Sequence, residues 1–174
     1  MIHLLFIAAS LLLVSGLSYL VHRWPTGGIR ATFSQHAAIS PAATKFYILL
    51  FVVSLPLLVV WHAAWLAPSS RAPYATTVLL ALAAVFQISA ACVPEREPHI
   101  LAHRALTSVS VAAILLHTTT LWASTGRSIV AVCLALMIGV VAYAVVMRDK
   151  AKYPMILQIV LYAAFFVALG SFII

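Results

Sequence analysis

The sequence is poor in charge and has no asparagine at all. Only three of its 174 residues are acidic, and charged residues make up 7% of the chain, whereas a soluble domain carries about 25%. Hydrophobic residues make up 65%, which is more apolar surface than a water-soluble fold of this length can bury. These shortages exclude an ordinary soluble domain and indicate that lipid surrounds most of the chain.

The sequence also lacks the motifs of several reaction classes. Its two cysteines, Cys92 and Cys133, lie in apolar segments and form no CxxC or zinc-type pattern. It contains no nucleophile elbow and no phosphate-binding glycine loop. No acidic residue lies in the middle of an apolar run, where a proton-coupled pump carries one. We therefore favour a non-enzymatic membrane protein over an enzyme.

What the chain does contain is a series of apolar runs separated by Pro, Gly and charged residues. Each run has about 20 residues, enough for an α-helix to cross a hydrocarbon core of about 30 Å. There are six runs: 2–22, 45–66, 74–93, 101–123, 127–147 and 154–174. We interpret the first as a retained span, since no basic segment precedes it. The predicted fold is one all-α domain over residues 1–174, an integral membrane bundle of six transmembrane helices.

The basic residues favour one orientation of these helices. The loops after the first, third and fifth runs carry eight of the ten lysines and arginines: Arg23, Arg30, Lys45, Arg96, Arg104, Arg148, Lys150 and Lys152. Only Arg71 and Arg127 fall on the other side. Short cytoplasmic loops are enriched in such residues, so we predict both termini outside, in a bacterial inner (plasma) membrane. Because the basic residues form no tract, we predict no nucleic-acid partner.

Two of the three acidic residues and two of the seven histidines fall in one short stretch, "CVPEREPHILAHR", residues 92–104. His99 and His103 are four residues apart, so a helix places them on one face. We predict a binding site on the cytoplasmic side from five residues of this stretch: Glu95, Glu97, His99, His103 and Arg104. It could act as an acid–base pair, a metal site or a cradle for a head group. The alternative is a solvated turn whose charges cap a helix.

Polar residues inside the runs show the same one-sided distribution. Gln87 and Gln158 lie in the predicted cytoplasmic halves of their spans, together with several serines and tyrosines that include Ser15 and Ser108. Polar groups at membrane depth usually point into the bundle. We therefore predict a polar cavity open to the cytoplasmic leaflet, with Gln87 and Gln158 in its wall. Hydrogen bonds between helices, with no cavity, are the alternative. The loop at 23–44 is mildly amphipathic and is predicted to lie along the interface.

The histidines permit a second hypothesis, that of a haem protein. His103 and His117 are 14 residues apart, which is about 21 Å and close to a whole number of turns. His62 is expected at the depth of His117, and His22 at the depth of His103. Two bis-histidine haem b groups could then bind between these pairs. His3, His62 and His117 could instead hold a metal ion.

Three segments resemble a known family: "RATFSQHAAISPAATKFYILLF" (30–51), "PEREPHILAHRALTSVSVA" (94–112) and "YPMILQIVLYAAFF" (153–166). In this order they resemble a bacterial family of six-span membrane proteins of unknown function, distantly akin to the Frag/DRAM/Sfk group. The resemblance implies that Glu95 or Glu97 matches the family's acidic residue before the fourth span, and that His103 matches its histidine. It implies a topology and no reaction.

The sequence leads to one functional hypothesis and two alternatives. The first is a protein that binds a lipid, a small amphiphile or a partner subunit through its cytoplasmic-side cavity. The second is a haem-bearing membrane electron carrier. The third is an accessory subunit of a larger membrane complex, and a homo-oligomer is compatible with each of them.

Overall fold

The chain folds into long helices with short connections. The computed structural model describes residues 1–147, 150 and 152–173, and these contain no β-strand. The α-helices in the described ranges are α1 (His3–Arg23), α2 (Phe33–Ala37), α3 (Pro41–Trp61), α4 (Pro73–Cys92), α5 (Ile100–Thr125), α6 (Ser128–Met147) and α7 (Pro154–Gly170). A π-turn (His62–Leu66) and a 3₁₀ turn (Ala67–Ser69) extend α3. The prediction of an all-α bundle is confirmed.

Each of the six apolar runs forms a helix that begins and ends within a few residues of the predicted bounds. Five of the helices, counting α3 with its two turns, are long and apolar enough to cross a membrane, which indicates a membrane protein. The sixth, α7, is also apolar but has 17 residues. Arg148 and Asp149 of the α6–α7 loop lie outside the described residues.

Local sequence accounts for the helix ends. Pro41, Pro73 and Pro154 each stand in the first turn of a helix, where the missing N–H removes no hydrogen bond. The backbone N–H of Ala43 donates to Ser40 Oγ over 3.1 Å and caps α3. α5 ends at Gly126, whose φ of 67° is left-handed, a conformation that glycine adopts without the steric cost of a side chain.

The long helices pack in chain order. α1 lies on α3, α3 on α4, α4 on α5, α5 on α6 and α6 on α7. Two clusters of buried hydrophobic residues pack the helices together, one toward each end of the bundle. One includes Leu20, Tyr47 and Met155 and lies at what we name the Glu95 end. The other includes Trp61 and Leu121 and lies at the Trp61 end. These ends frame the middle of the bundle, where the cavity lies.

The loop at 23–44, which is predicted to lie along the interface, packs its short helix against the bundle. Its helix α2 buries Phe33, Ser34, His36 and Ala37 in the Glu95 end of the bundle. The fully buried His36 ring lies 2.8 Å from the Trp24 carbonyl oxygen through Nδ1 and 3.4 Å from the Gly28 carbonyl oxygen through Nε2. A loop can bury polar groups in this way when a side chain pairs with its carbonyls.

One sequence interpretation needs correction at the level of single residues. Ser15 and Ser108 do not point into the bundle; they are exposed, and each hydroxyl donates to the carbonyl four residues earlier in its own helix. That local bond satisfies the hydroxyl in lipid as well as an interhelical bond does.

Candidate functional site

The middle of the bundle holds a cavity of about 580 Å³. This volume is within the range of small-molecule sites, about 300–1,000 Å³. α1, α3, α4, α5, α7 and Phe33 of α2 form its wall, and the wall is almost entirely apolar. α6 packs on α5 and α7 from outside, and none of its described residues lines the cavity.

The cavity opens sideways between α1 and α7. Val14 on α1 and Ile159 on α7 both line it, yet their exposed fractions are 65% and 48%. Ser18 and Ala163 also line it and are exposed. We name these four residues the mouth. The exposed part of the cavity wall therefore lies on the flank of the bundle.

Both ends of the seam between α1 and α7 are closed. At the Trp61 end the Phe6 ring lies 6.0 Å from the Phe166 ring and packs against Gly170, where a Cβ atom would lie 3.6 Å from it. At the Glu95 end the turn Gly28–Arg30 packs against α7, and the Phe33 backbone N–H donates to Gln158 Oε1 over 3.0 Å. The mouth is therefore a window bounded by protein above and below.

Few polar side chains face this space. Ser10, Ser18 and Ser110 line the cavity, but their hydroxyls donate to the carbonyls of Phe6, Val14 and Ala83. Gln87, one of the predicted binding residues, lines the cavity and has an exposed fraction of 9%. Tyr162, which is half-buried, also lines it. This cavity therefore differs from the predicted polar one: apolar side chains make up most of its wall, and Gln158 is not among the residues that line it.

The Glu95 cluster (Glu95, Thr32, Ser34, Gln35 and His103) is separate from the cavity. The Glu95 side chain is 8% exposed. It accepts hydrogen bonds from Thr32 Oγ1 (2.6 Å), from Ser34 Oγ and from Gln35 Nε2 (3.5 Å). Because charge-assisted hydrogen bonds are the strong ones, Glu95 fastens the start of α2 to the turn between α4 and α5.

His103 completes this cluster from the first turns of α5. Its Nδ1 lies 2.9 Å from the Ala90 carbonyl oxygen and 2.7 Å from that of Val93. Since carbonyls only accept, Nδ1 carries the proton. Nε2 then faces Glu95 Oε2 at 4.0 Å and forms an ion pair with it when the imidazole is protonated. One side chain thus ties the end of α4 to the residue that holds α2.

The other predicted site residues lie apart from Glu95 and His103. Glu97, His99 and Arg104 are exposed, and His99 is the residue before the first turn of α5. Gln158 bonds α7 to α2 through Phe33. The void beside Glu95 measures about 10 Å³, about the space of a single water, so the cluster in this state holds no organic ligand.

Sequence reasoning missed Thr32, Ser34 and Gln35. One local signal was present: Thr32 and Gln35 have the spacing of a capping box, and both of its hydrogen bonds form at the start of α2. Nothing local links them to Glu95, which lies 63 residues after Thr32.

The histidine geometry does not fit two bis-histidine haems. His62 and His117 lie at one depth, as predicted, but their Nε2 atoms are 3.0 Å apart and hydrogen-bonded to each other. Two nitrogens on opposite sides of a metal at about 2.0 Å each would stand about 4 Å apart. His22 is exposed, whereas His103 is buried and already bonded.

A three-ligand metal site is also not found. No group of three or more His, Cys, Asp or Glu side chains that could hold a metal occurs among the described residues. His3 Nδ1 instead accepts from Trp61 Nε1 over 3.5 Å, and its ring meets Trp65 edge-on at 4.4 Å. His62 and His117 are fully buried, and His117 Nδ1 has no hydrogen-bond partner among the described residues.

Comparison of the chain with protein-family models, with curated proteins and with solved structures finds no match. The resemblance to a six-span bacterial family therefore stays a prediction that rests on the three quoted segments.

Proposed function

We propose that this chain is a six-span membrane protein that binds one lipid or small amphiphile inside its bundle, admitting it from the membrane between α1 and α7. The observation that carries the proposal is the 580 Å³ apolar cavity with its mouth on the flank of the bundle. An apolar molecule gains by entering such a space, because apolar walls replace neighbouring acyl chains and the ligand fills a void.

The proposed topology places both termini outside and the Glu95 end in the cytoplasm. The eight-to-two distribution of lysine and arginine supports it. α7, at 17 residues, spans about 26 Å, and a local thinning of the bilayer accommodates a short span at modest cost. With this topology the mouth faces the hydrocarbon core, where acyl chains reach it directly.

In this proposal the Glu95 cluster positions the cavity floor and does not bind the ligand. Each Glu95 oxygen already accepts hydrogen bonds from α2, and Phe33 at the start of α2 lines the cavity. The exposed Glu97, His99 and Arg104 then lie at the level of the lipid head groups. Binding of the ligand's apolar chain and anchoring of α2 are thus coupled through Phe33.

The test is to block the mouth. Ala163→Phe places a ring at an exposed position that lines the cavity, so it obstructs entry while the packed ends of the bundle stay unchanged. Ala135→Phe, on the exposed outer face of α6, is the matched control. Both variants and the parent chain are purified in mild detergent, and bound lipid is counted by native mass spectrometry.

We expect the parent chain and Ala135→Phe to retain one lipid-like molecule per chain and Ala163→Phe to lose most of it. Equal retention by all three chains, or none in the parent, contradicts the proposal. The folded state of each variant is checked by its helical circular dichroism, so that loss of the ligand is not confused with unfolding.

A further inference from the structure

The polar side chains of the cavity wall differ in whether they already form hydrogen bonds within the protein. The three serine hydroxyls that line it donate to backbone carbonyls over 2.7–2.9 Å. The Gln87 amide and the Tyr162 hydroxyl, by contrast, make no hydrogen bond to any other described residue. Gln87 is nine-tenths buried, and a buried amide without a partner is costly. The Gln87 amide, which has two N–H donors and one acceptor oxygen, is therefore open to a ligand in the cavity that this residue lines.

The same wall carries no charge. None of the described residues that line the cavity is Asp, Glu, Lys, Arg or His. The Glu95 carboxylate has its oxygens bonded to Thr32 and Gln35 at the start of α2 and lines a different void. A charged group brought into the cavity would lose its hydration without gaining a counter-charge. The wall therefore selects against an ionised head group at this depth.

We infer that the ligand is an uncharged amphiphile, with an ester, ketone or ether oxygen that accepts a hydrogen bond from the Gln87 amide and an apolar chain that extends to the mouth. This inference rests on the proposed function, because it names the class of ligand that the cavity takes. Gln87 selects by hydrogen bonding: the right ligand satisfies its N–H groups, whereas a plain hydrocarbon leaves them unpaired.

The position of Gln87 suits this role. It lies five residues before the end of α4, which is about 7.5 Å along the helix from the Glu95 end. A polar oxygen held there lies below the head-group region, where water does not compete for the hydrogen bond. Tyr162 lines the same cavity from α7 and supplies a second uncharged donor for a ligand with two oxygens.

The experiment compares three photoactivatable probes that share one chain with a diazirine and differ at the head: a methyl ester, the free carboxylate at a pH where it is ionised, and a headless alkane. Each is crosslinked to the purified full chain in lipid nanodiscs, and labelled peptides are identified by mass spectrometry. The variants are Gln87→Leu, which keeps the volume and removes the amide, and Ser89→Ala as control. Ser89 stands on α4 outside the cavity lining and bonds only to its own helix.

We expect the ester to label the cavity helices most strongly in the parent chain. Gln87→Leu should lower that labelling by about tenfold, toward the level of the alkane, since one buried hydrogen bond is lost. Ser89→Ala should leave it unchanged. If all three probes label the cavity equally, or if Gln87→Leu changes nothing, the inference is overturned while the proposed function stands. If no probe labels cavity helices in the parent chain, the proposed function itself fails.

Discussion

At the scale of single residues, Glu95 and Glu97 show that the surroundings of a carboxylate decide whether it is buried and hydrogen-bonded within the protein. They stand two positions apart in one turn, yet the Glu95 side chain is 8% exposed and accepts from three side chains of α2, while Glu97 is exposed. Removal of a buried acceptor leaves its donors without partners, and that loss costs more than the bonds contributed. The two residues thus form a matched pair for a test.

Glu95→Ala should lower the free energy of unfolding by about 2–3 kcal/mol, because the Thr32 and Ser34 hydroxyls lose their acceptor in a dry environment. Thermal unfolding in detergent, followed by helical circular dichroism, measures the change as a lower midpoint temperature. Glu97→Ala is the control and should stay within about 0.5 kcal/mol of the parent chain. If the two variants unfold at the same temperature, Glu95 does not anchor α2.

At the scale of helices, close packing of α1 on α3 depends on a residue without a side chain. Gly16 is buried, and a Cβ atom at this position would lie 2.5 Å from Leu50 Cδ1. Small residues let helices approach closely in a membrane, where van der Waals contact holds them together. Gly139 on α6, by contrast, has nothing within 4 Å of such a Cβ atom.

Gly16→Val should therefore push α1 away from α3 and destabilise the fold by about 1–3 kcal/mol, the usual cost of overpacking. Because α1 forms one side of the mouth, bound lipid should be lost as well. Gly139→Val, in open space, should change neither property appreciably. Thermal midpoints and retained lipid measured on the two variants decide the matter. A larger effect at Gly139 would contradict this packing.

At the scale of the whole molecule, the orientation of the bundle determines which leaflet the Glu95 end meets. Two exposed positions report on it: Glu97 in the α4–α5 turn, and Ser69 at the opposite end of the bundle. Each is changed to cysteine in a chain whose Cys92 and Cys133 are replaced by alanine. A membrane-impermeant maleimide should label Ser69→Cys in intact cells, and Glu97→Cys only after the cells are opened. The reverse labelling pattern would show that the topology is the opposite of the one proposed, with the Glu95 end outside.

The fold class and the helix positions follow from the sequence by itself. A chain with so few charges must bury its backbone polar groups in helices wherever lipid surrounds it, and Pro, Gly and charged residues mark where each helix stops. These are local properties, and so the six apolar runs predict the helix ends to within a few residues. The pairing of His62 and His117 at one depth also followed from counting residues along their spans.

Only the tertiary structure decided where α2 inserts, which carboxylate is buried, and where the bundle leaves space. Thr32 meets Glu95 across 63 residues of chain, and no local pattern distinguishes Glu95 from Glu97. Side chains from five long helices and Phe33 line the cavity. It lies where α1 and α7 stand apart, between their contact at the Trp61 end and the contact of α7 with the turn Gly28–Arg30 and Phe33 at the Glu95 end. Helices that are apolar all round, as these are, do not reveal which face turns inward, so packing alone determined the space that a ligand can fill.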